Sequence, residues 1–335
     1  MSIICFGELM LRLTPAVMGE KLVSTSSFDV NYAGSESNVA SSLAVLGDSV
    51  SFVSKLPLNP LGDGAVQSLK KYGINTDCIL RGGKRIGSYF IEMGSSIRPG
   101  NVVYDRGGSS IADINAGEFN WDKILGGKKW FFVSGITPAL SDQCAKETLL
   151  AVKTAKKLGV FVSFDMNYRR KLWSERRIAA GIFDKIMEYT DLLFGNEGVL
   201  ADVYDIHCSS NSNESRLLEA LEKVKKMFGS LLYIFTSREH ISASKNRLLA
   251  AYSSKKGLFT SKSYEVEIVD RLGTGDAFAA GCLHGLTKGW EEQKVIDFGT
   301  AAFALKHTIR GDQHISNYSE ILSIMDGNIS GYIQR

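Results

Sequence analysis

The chain has 335 residues, of which 44% are hydrophobic and 22% charged, proportions of a folded globular protein that exclude wholesale disorder. At roughly 100–200 residues per domain, this length holds one large domain or two smaller ones and buries enough surface to need no disulfide or zinc staple. A net charge of +3 on 39 basic and 36 acidic residues leaves no electrostatic footprint for nucleic acid or an anionic membrane.

Residues 3–7 read as a buried strand, and 36–47 (ESNVASSLAVLG) as a helix followed by a strand at 50–54. Another helix is predicted at 62–72. The stretches 10–32 and 76–110 carry short β-type runs with little helical period, among them 86–94 (IGSYFIEMG) and 101–105 (NVVYD). They suggest a small sheet set apart from the main one, placed as a lid near its strand ends. The division expected is therefore a core of residues 1–9, 34–75 and 111–335, with a discontinuous β lid of residues 10–33 and 76–110.

From residue 128 the pattern turns regular. A strand at 128–135 (KKWFFVSG) is followed by a helix at 142–158 closed by Gly159, a strand at 160–165, a helix near 175–189 and a strand at 191–195. Asn213 can cap a helix at 214–228 that Gly229 ends, and a strand follows at 231–237. Strands alternating with helices of this length mean a parallel sheet covered on both faces, with ligands at the carboxyl ends of the strands. Near the end, Asn317 and Glu320 have the spacing of a capping box.

Five cysteines (Cys5, Cys78, Cys144, Cys208, Cys282) are odd in number and far apart, as expected of reduced thiols in a cytoplasmic protein. No apolar run approaches the ~18 residues of a membrane span, and the first residues lack the pattern of a signal peptide. Glycine is in surplus, with 33 against only 5 prolines. That surplus points to tight turns and close backbone approaches.

The most informative stretch is 268–286, IVDRLGTGDAFAAGCLHGL. A strand is expected to end at Asp270, Gly273-Thr274-Gly275 to turn tightly, and a helix to open at Asp276. Backbone N–H groups and a helix N-terminus then converge as an anion hole, beside a carboxylate able to take a proton from an alcohol. The chemistry suggested is phosphoryl transfer to a hydroxyl, in which positioning and charge stabilisation do most of the work. The other reading of the same residues is an Asp that merely caps its helix. There is no G-x-x-x-x-G-K-[ST], and Phe278 stands where a dinucleotide fingerprint needs its third glycine. Neither G-x-S-x-G nor H-E-x-x-H occurs.

The run Asp270-Arg271-Leu272-Gly273-Thr274-Gly275-Asp276-Ala277-Phe278 resembles the C-terminal signature of the ribokinase-like (PfkB) carbohydrate kinases. Gly34-Ser35-Glu36-Ser37-Asn38-Val39-Ala40 and Leu61-Gly62-Asp63-Gly64 resemble the N-terminal one. The likeness spans residues 3 to 325. It implies an α/β, ribokinase-like fold, a Rossmann-like doubly wound sheet covered by helices, with a small β lid. It further implies transfer of a phosphoryl group from ATP, with Mg²⁺, to a sugar hydroxyl. Asp276 would be the base, with Gly273, Thr274 and Gly275 forming the anion hole. Asp165, Asn167, Asn196, Thr236 and Arg238 would serve the nucleotide, and Asn38 the sugar.

Within the family the chain resembles the branch acting on 2-keto-3-deoxygluconate. The matching elements are Phe6–Leu13, Tyr104-Asp105-Arg106, Gly135-Ile136-Thr137-Pro138, Asp165-x-Asn167-Tyr168-Arg169 and Gly311-Asp312. The sugar pocket would then be lined by Gly34, Tyr89, Tyr104, Ile136 and Asp312. Arg106 and Arg169 would meet the substrate carboxylate through charge-assisted hydrogen bonds. Taken singly, each Arg also reads as a surface ion pair, and each Tyr as strand packing.

Three positions depart from the pattern. Ala33-Gly34 replaces Gly-Gly. Asn196-Glu197-Gly198-Val199 has Val in place of a Glu that helps organise Mg²⁺, with Glu197 as a substitute. The segment from Thr236 to Ala243 has no glycine where the family's nucleotide loop is rich in it. A kinase of a neutral sugar such as fructose or ribose, and a non-catalytic sugar-binding regulator on the same fold, are the alternatives. Association through the lid strands into a homodimer or larger homo-oligomer is also expected.

Overall fold

The computed structural model describes residues 2–95, 97–229, 231–242 and 244–329. In chain order the first half comprises β1 (Ser2–Phe6), β2 (Met10–Pro15), β3 (Phe28–Ala33), α1 (Ser35–Val45), β4 (Ser49–Leu56), α2 (Pro60–Lys70), β5 (Ile79–Arg81), β6 (Ser88–Glu92), β7 (Asn101–Asp105) and α3 (Trp121–Leu125). Then come β8 (Trp130–Ser134), α4 (Asp142–Lys157), β9 (Phe161–Asp165), α5 (Arg176–Met187), β10 (Leu192–Asn196), α6 (Glu197–Tyr204) and α7 (Asn213–Phe228). The chain continues through β11 (Leu232–Ser242), β12 (Lys245–Ser254), β13 (Gly257–Thr260), β14 (Tyr264–Glu267), α8 (Thr274–Thr287), α9 (Glu292–His307) and α10 (Tyr318–Met325).

The main sheet runs in the order β13-β12-β11-β10-β9-β8-β1-β4-β5, with β14 also on β12. From β11 to β5 every pairing is parallel. Parallel strands are buried on both faces, so their sequences are nearly unbroken apolar runs such as Phe131-Phe132-Val133. Alternate side chains of β1 divide between two cores. Ile3 and Cys5 pack with α1, α2, α8, α9 and α10, and Ile4 and Phe6 with α3 to α7. The chain moves from β1 outward to β4 on one side and later fills β8 on the other. The carboxyl ends of β1 and β8 therefore form the crevice where such sheets bind ligands.

α8 and α9 cross closely because their contact is made of small residues. A Cβ on Gly281 would lie 3.0 Å from the Gly299 Cα, and one on Gly299 would lie 2.3 Å from the Cys282 Sγ. Helix ends follow the sequence signals. Asn317 and Glu320 form the expected capping box of α10. α7 is capped by Ser212, one residue before the expected Asn213, because Asn213 already lies within the helix.

A second, smaller sheet of order β3-β2-β6-β7 is built from the strands expected to form a lid. Its later strands begin at Ser88, so the expected boundary at residue 76 is too early: Ile79–Arg81 pair in parallel with Ser54–Leu56 of the main sheet. Two further expectations are corrected. The strand thought to reach Asp270 ends at Glu267, and the amides of Val269 and Asp270 bond instead to the His307 carbonyl. Residues 236–242 are not a loop. β11 runs on to Ser242 and folds back antiparallel on β12; Ala243 lies outside the described residues.

Candidate functional site

Asp276 stands in the first turn of α8, buried. Its Oδ1 accepts from the Ser35 hydroxyl at 2.7 Å and its Oδ2 from the Asn38 side-chain amide at 2.7 Å. Both partners come from the first turn of α1, so two helix starts meet at one carboxylate. The Asn167 amide in turn donates to the Ser35 hydroxyl at 2.8 Å, from a residue just past β9 held at φ 29°. Burial raises the Asp276 carboxyl to about 6 against the opposing pull of Asn38 and Ser35. Asp165, at the end of β9, is raised to about 7 by burial and by the neighbouring Asp276 charge.

The turn before α8 needs glycine. Gly273 has φ +71°, and a Cβ there would lie 1.8 Å from the Asp312 carbonyl oxygen. Gly275 has nothing within 4 Å of its Cβ position, so the helix start opens on space. That space is a cleft of about 580 Å³ lined by Asp165, Asn167, Arg169, Asn196, Glu197, Thr236, Arg238, Arg271, Gly273, Thr274, Gly275 and Asp276. Every residue predicted for the nucleotide is gathered here. Arg238 lies over the Phe303 ring, 5.3 Å from its centroid, and donates to the Thr274 hydroxyl at 3.0 Å. Burial, with Arg271 and Arg169 nearby, lowers it to about 10. Cations and free helix amides at one cleft suit a polyphosphate.

Other predicted residues have partners that change their reading. Asn196 caps α6, its Oδ1 accepting from the Val199 amide at 3.0 Å. Glu197 pairs with Arg216 at 3.3 Å. A phosphate-chelated Mg²⁺ asks the protein for only one or two carboxylates; Asp165 and Glu197 are at hand in the cleft. Among the described residues no group of three or more His, Cys, Asp or Glu is placed to hold a metal.

On the sugar side, Gly34 precedes α1, and Ile136 follows β8, its amide donating to the Ser134 hydroxyl at 3.2 Å. Tyr89 and Tyr104 pair directly across the lid, and their rings lie 5.9 Å apart. The Tyr89 hydroxyl donates to Asp312 Oδ2 at 2.8 Å. Asn38 is spent on Asp276 and does not stand free. Arg106 is buried against Glu8, its Nε donating to Oε2 at 2.8 Å, with the Ser109 hydroxyl on Oε1 at 2.5 Å. Its charge is thus matched by a carboxylate that the sequence reading did not include. Arg169 is exposed at the cleft, and its Nη1 donates to the Tyr168 carbonyl at 3.2 Å.

Three acidic groups were missed. Beside Glu8, Glu36 is buried at the start of α1 and accepts from the Ser134 amide at 3.0 Å and from the Ser134 and Thr137 hydroxyls, both at 2.7 Å. Burial holds it above the usual carboxylate range. Asp270 is fully buried and pairs with Arg12. For Glu8 the signal was a charge inside an otherwise apolar run, whereas Glu36 lies between two serines and Asp270 beside Arg271, where a charge is unremarkable.

Residues 1–317 match the family described as pfkB family carbohydrate kinase. The chain is 31% identical over 333 residues to a 2-dehydro-3-deoxygalactonokinase of Haloferax volcanii, covering 98% of each. A 5-dehydro-2-deoxygluconokinase of Clostridium beijerinckii is 26% identical over 91% of this chain and 86% of its own. The crystal structure of a 2-dehydro-3-deoxygluconokinase from Thermotoga maritima superposes with a TM-score of 0.94. It is 42% identical, over 98% of this chain and all of the other.

Proposed function

Because this chain belongs to the pfkB family of carbohydrate kinases, we propose that it transfers the γ-phosphoryl group of ATP to the C6 hydroxyl of 2-keto-3-deoxygluconate. The observation that carries this is Asp276, a buried carboxylate pinned by Ser35 and Asn38 at the mouth of the Gly273–Gly275 turn. The sugar-acid branch is supported by the relatives from Haloferax volcanii and Thermotoga maritima.

Asp276 takes the proton of the C6 hydroxyl. The oxygen attacks the γ-phosphorus, the bond to the β-phosphate oxygen breaks, and ADP leaves with the electron pair. Ser35 and Asn38 fix the carboxylate toward the acceptor. The amides at the start of α8 face the transferring group, where charge develops and preorganised donors are worth most. Arg238 meets the phosphates from the cleft wall. Mg²⁺ chelated by the phosphates would draw charge from the leaving oxygen, with Asp165 and Glu197 to hold it. Arg169 would meet the substrate carboxylate, and Gly34, Ile136, Tyr89, Tyr104 and Asp312 the rest of the sugar. Lid strands over the crevice exclude water, which limits hydrolysis of ATP. We place the enzyme in the cytoplasm, associating through lid edges β3 and β7.

A second reading, a neutral sugar such as fructose, is favoured by one observation: Glu8 neutralises Arg106, one of the two cations proposed for the carboxylate. ADP release measured over a panel of keto-deoxy acids of both epimers, fructose and ribose decides between them. Turnover of the neutral sugars alone overturns the sugar-acid reading. In the same assay Asp276→Asn is expected to lose at least about 10²–10⁴-fold in kcat, the worth of a positioned base, while calorimetry shows the sugar still bound. Near-normal turnover in that variant would remove Asp276 from the role.

A further inference from the structure

Arg12 is a charge inside an apolar run, Met10-Leu11-Arg12-Leu13, and it is only 1% exposed. It lies on β2, where the register sets Tyr89 directly opposite, and Tyr104 opposite Tyr89. Directly paired residues share a face of the sheet, so Arg12, Tyr89 and Tyr104 form one row across the lid. From that row the guanidinium reaches into the core. Nη2 donates to Asp270 Oδ2 at 2.6 Å, Nη1 donates to Asp312 Oδ1, and Nε donates to the Thr14 hydroxyl at 3.0 Å.

The two carboxylates are not equivalent. Asp270 joins two segments: its Oδ1 accepts from the Leu272 amide at 3.0 Å and its Oδ2 from the Gly311 amide at 3.0 Å. Asp312 carries the carbonyl that packs against Gly273, and its own carboxylate also takes the Tyr89 hydroxyl. The same few residues thus set the backbone of the anion-hole turn and one wall of the sugar pocket. Nearby, Lys306 is fully buried, and its ammonium is turned to the Ile309 carbonyl at 2.8 Å. The guanidinium joins the lid to both acids.

We propose that Arg12 is a positioning residue for phosphoryl transfer: from the lid it holds Asp312 and Asp270 so that the sugar-binding carboxylate and the Gly273–Gly275 amides take their working places together. This rests on the reading of Asp312 as a sugar ligand. A planar guanidinium serves two carboxylates at fixed angles, which a lysine ammonium cannot reproduce. Asp312 keeps lone pairs beyond those used by Arg12 and Tyr89, since an ionised carboxylate has about four acceptor sites, and these are left for sugar hydroxyls.

The test is steady-state kinetics of the full chain carrying Arg12→Lys, which keeps the charge, and Arg12→Gln, which removes it. For Arg12→Lys the sugar KM should rise about tenfold and kcat should fall about tenfold, the scale of one lost charge-assisted hydrogen bond in each. The KM for ATP should stay within about twofold, because the cleft cations are untouched. Arg12→Gln should show the same split, more strongly. Melting temperature and circular dichroism are recorded alongside. A folded Arg12→Lys protein with wild-type sugar KM and kcat overturns the proposal. So does an equal loss for ATP and sugar, the signature of a purely structural bolt. Should Arg12→Gln fail to fold, Arg12→Lys decides alone. The split is read with whichever sugar the wild type turns over, so failure of the substrate reading is seen separately.

Discussion

As the proposed base, Asp276 would work under opposing demands. Burial makes it a stronger base by raising it to about 6, while Ser35 and Asn38 keep it ionised enough to act. The working form is the carboxylate, so protonation abolishes the base. We therefore predict that kcat falls as pH drops through about 6, and that it goes on rising above 6 until Asp165, raised to about 7, has ionised as well. A pH–rate profile checks this; a flat profile from 5 to 8 would contradict it. At this scale the sequence was informative where chemistry is local. Gly273, Thr274, Gly275 and Asp276 are contiguous, and their turn follows from their own backbone. It was uninformative where the partner is remote. Arg106 reads as a carboxylate receptor until Glu8, 98 positions away, is seen on its guanidinium. Asn38, expected at the sugar, also places its amide on Asp276, a contact its sequence neighbours do not announce. Such pairings depend on packing between β1, the lid and α8, and no short window of residues records them.

Where the resemblance led to a glycine-rich nucleotide loop, β11 and β12 form a hairpin of paired backbone. Arg238 pairs in register with Leu248 and is held from both sides by Phe303 and Thr274, so its charge is fixed at the cleft. Arg238→Ala is expected to raise the KM for ATP about tenfold or more, as loss of a charge-assisted contact implies, with the sugar KM nearly unchanged; an unchanged ATP KM would show that Arg238 only packs. The hairpin was illegible because Thr236–Ser242 is mostly polar and looks like a turn, and the end of its partner, Lys245-Asn246-Arg247, is polar as well. The parallel strands were legible for the opposite reason. Double-sided burial makes each an apolar block, and glycines such as Gly159 and Gly229 mark the helix ends between them. β5 is three half-buried residues at the sheet edge, too short and too mixed to show a period, which is why it was assigned to the lid.

Over the whole molecule a near-neutral charge conceals a local concentration, since Arg169, Arg238 and Arg271 share the cleft with the start of α8. Net charge excludes a broad basic surface but says little about a site. A smaller sheet beside the main one was visible as a change in periodicity, and its discontinuity in the chain has a consequence for assembly. β2 and β6 are parallel neighbours, yet the chain between them builds α1, β4, α2 and β5 of the core. The lid cannot close on itself until that part of the core exists, and its centre is then anchored by Arg12 and Tyr89 to Asp270 and Asp312. Order of folding and order of opening should mirror one another, the last element formed being the first released. In hydrogen-exchange mass spectrometry, amides of β2 and β6 should therefore exchange well before those of β1 and β8, and a bound sugar spanning lid and core should slow the former alone. Equal protection of both sheets would mean that the molecule opens only as one unit.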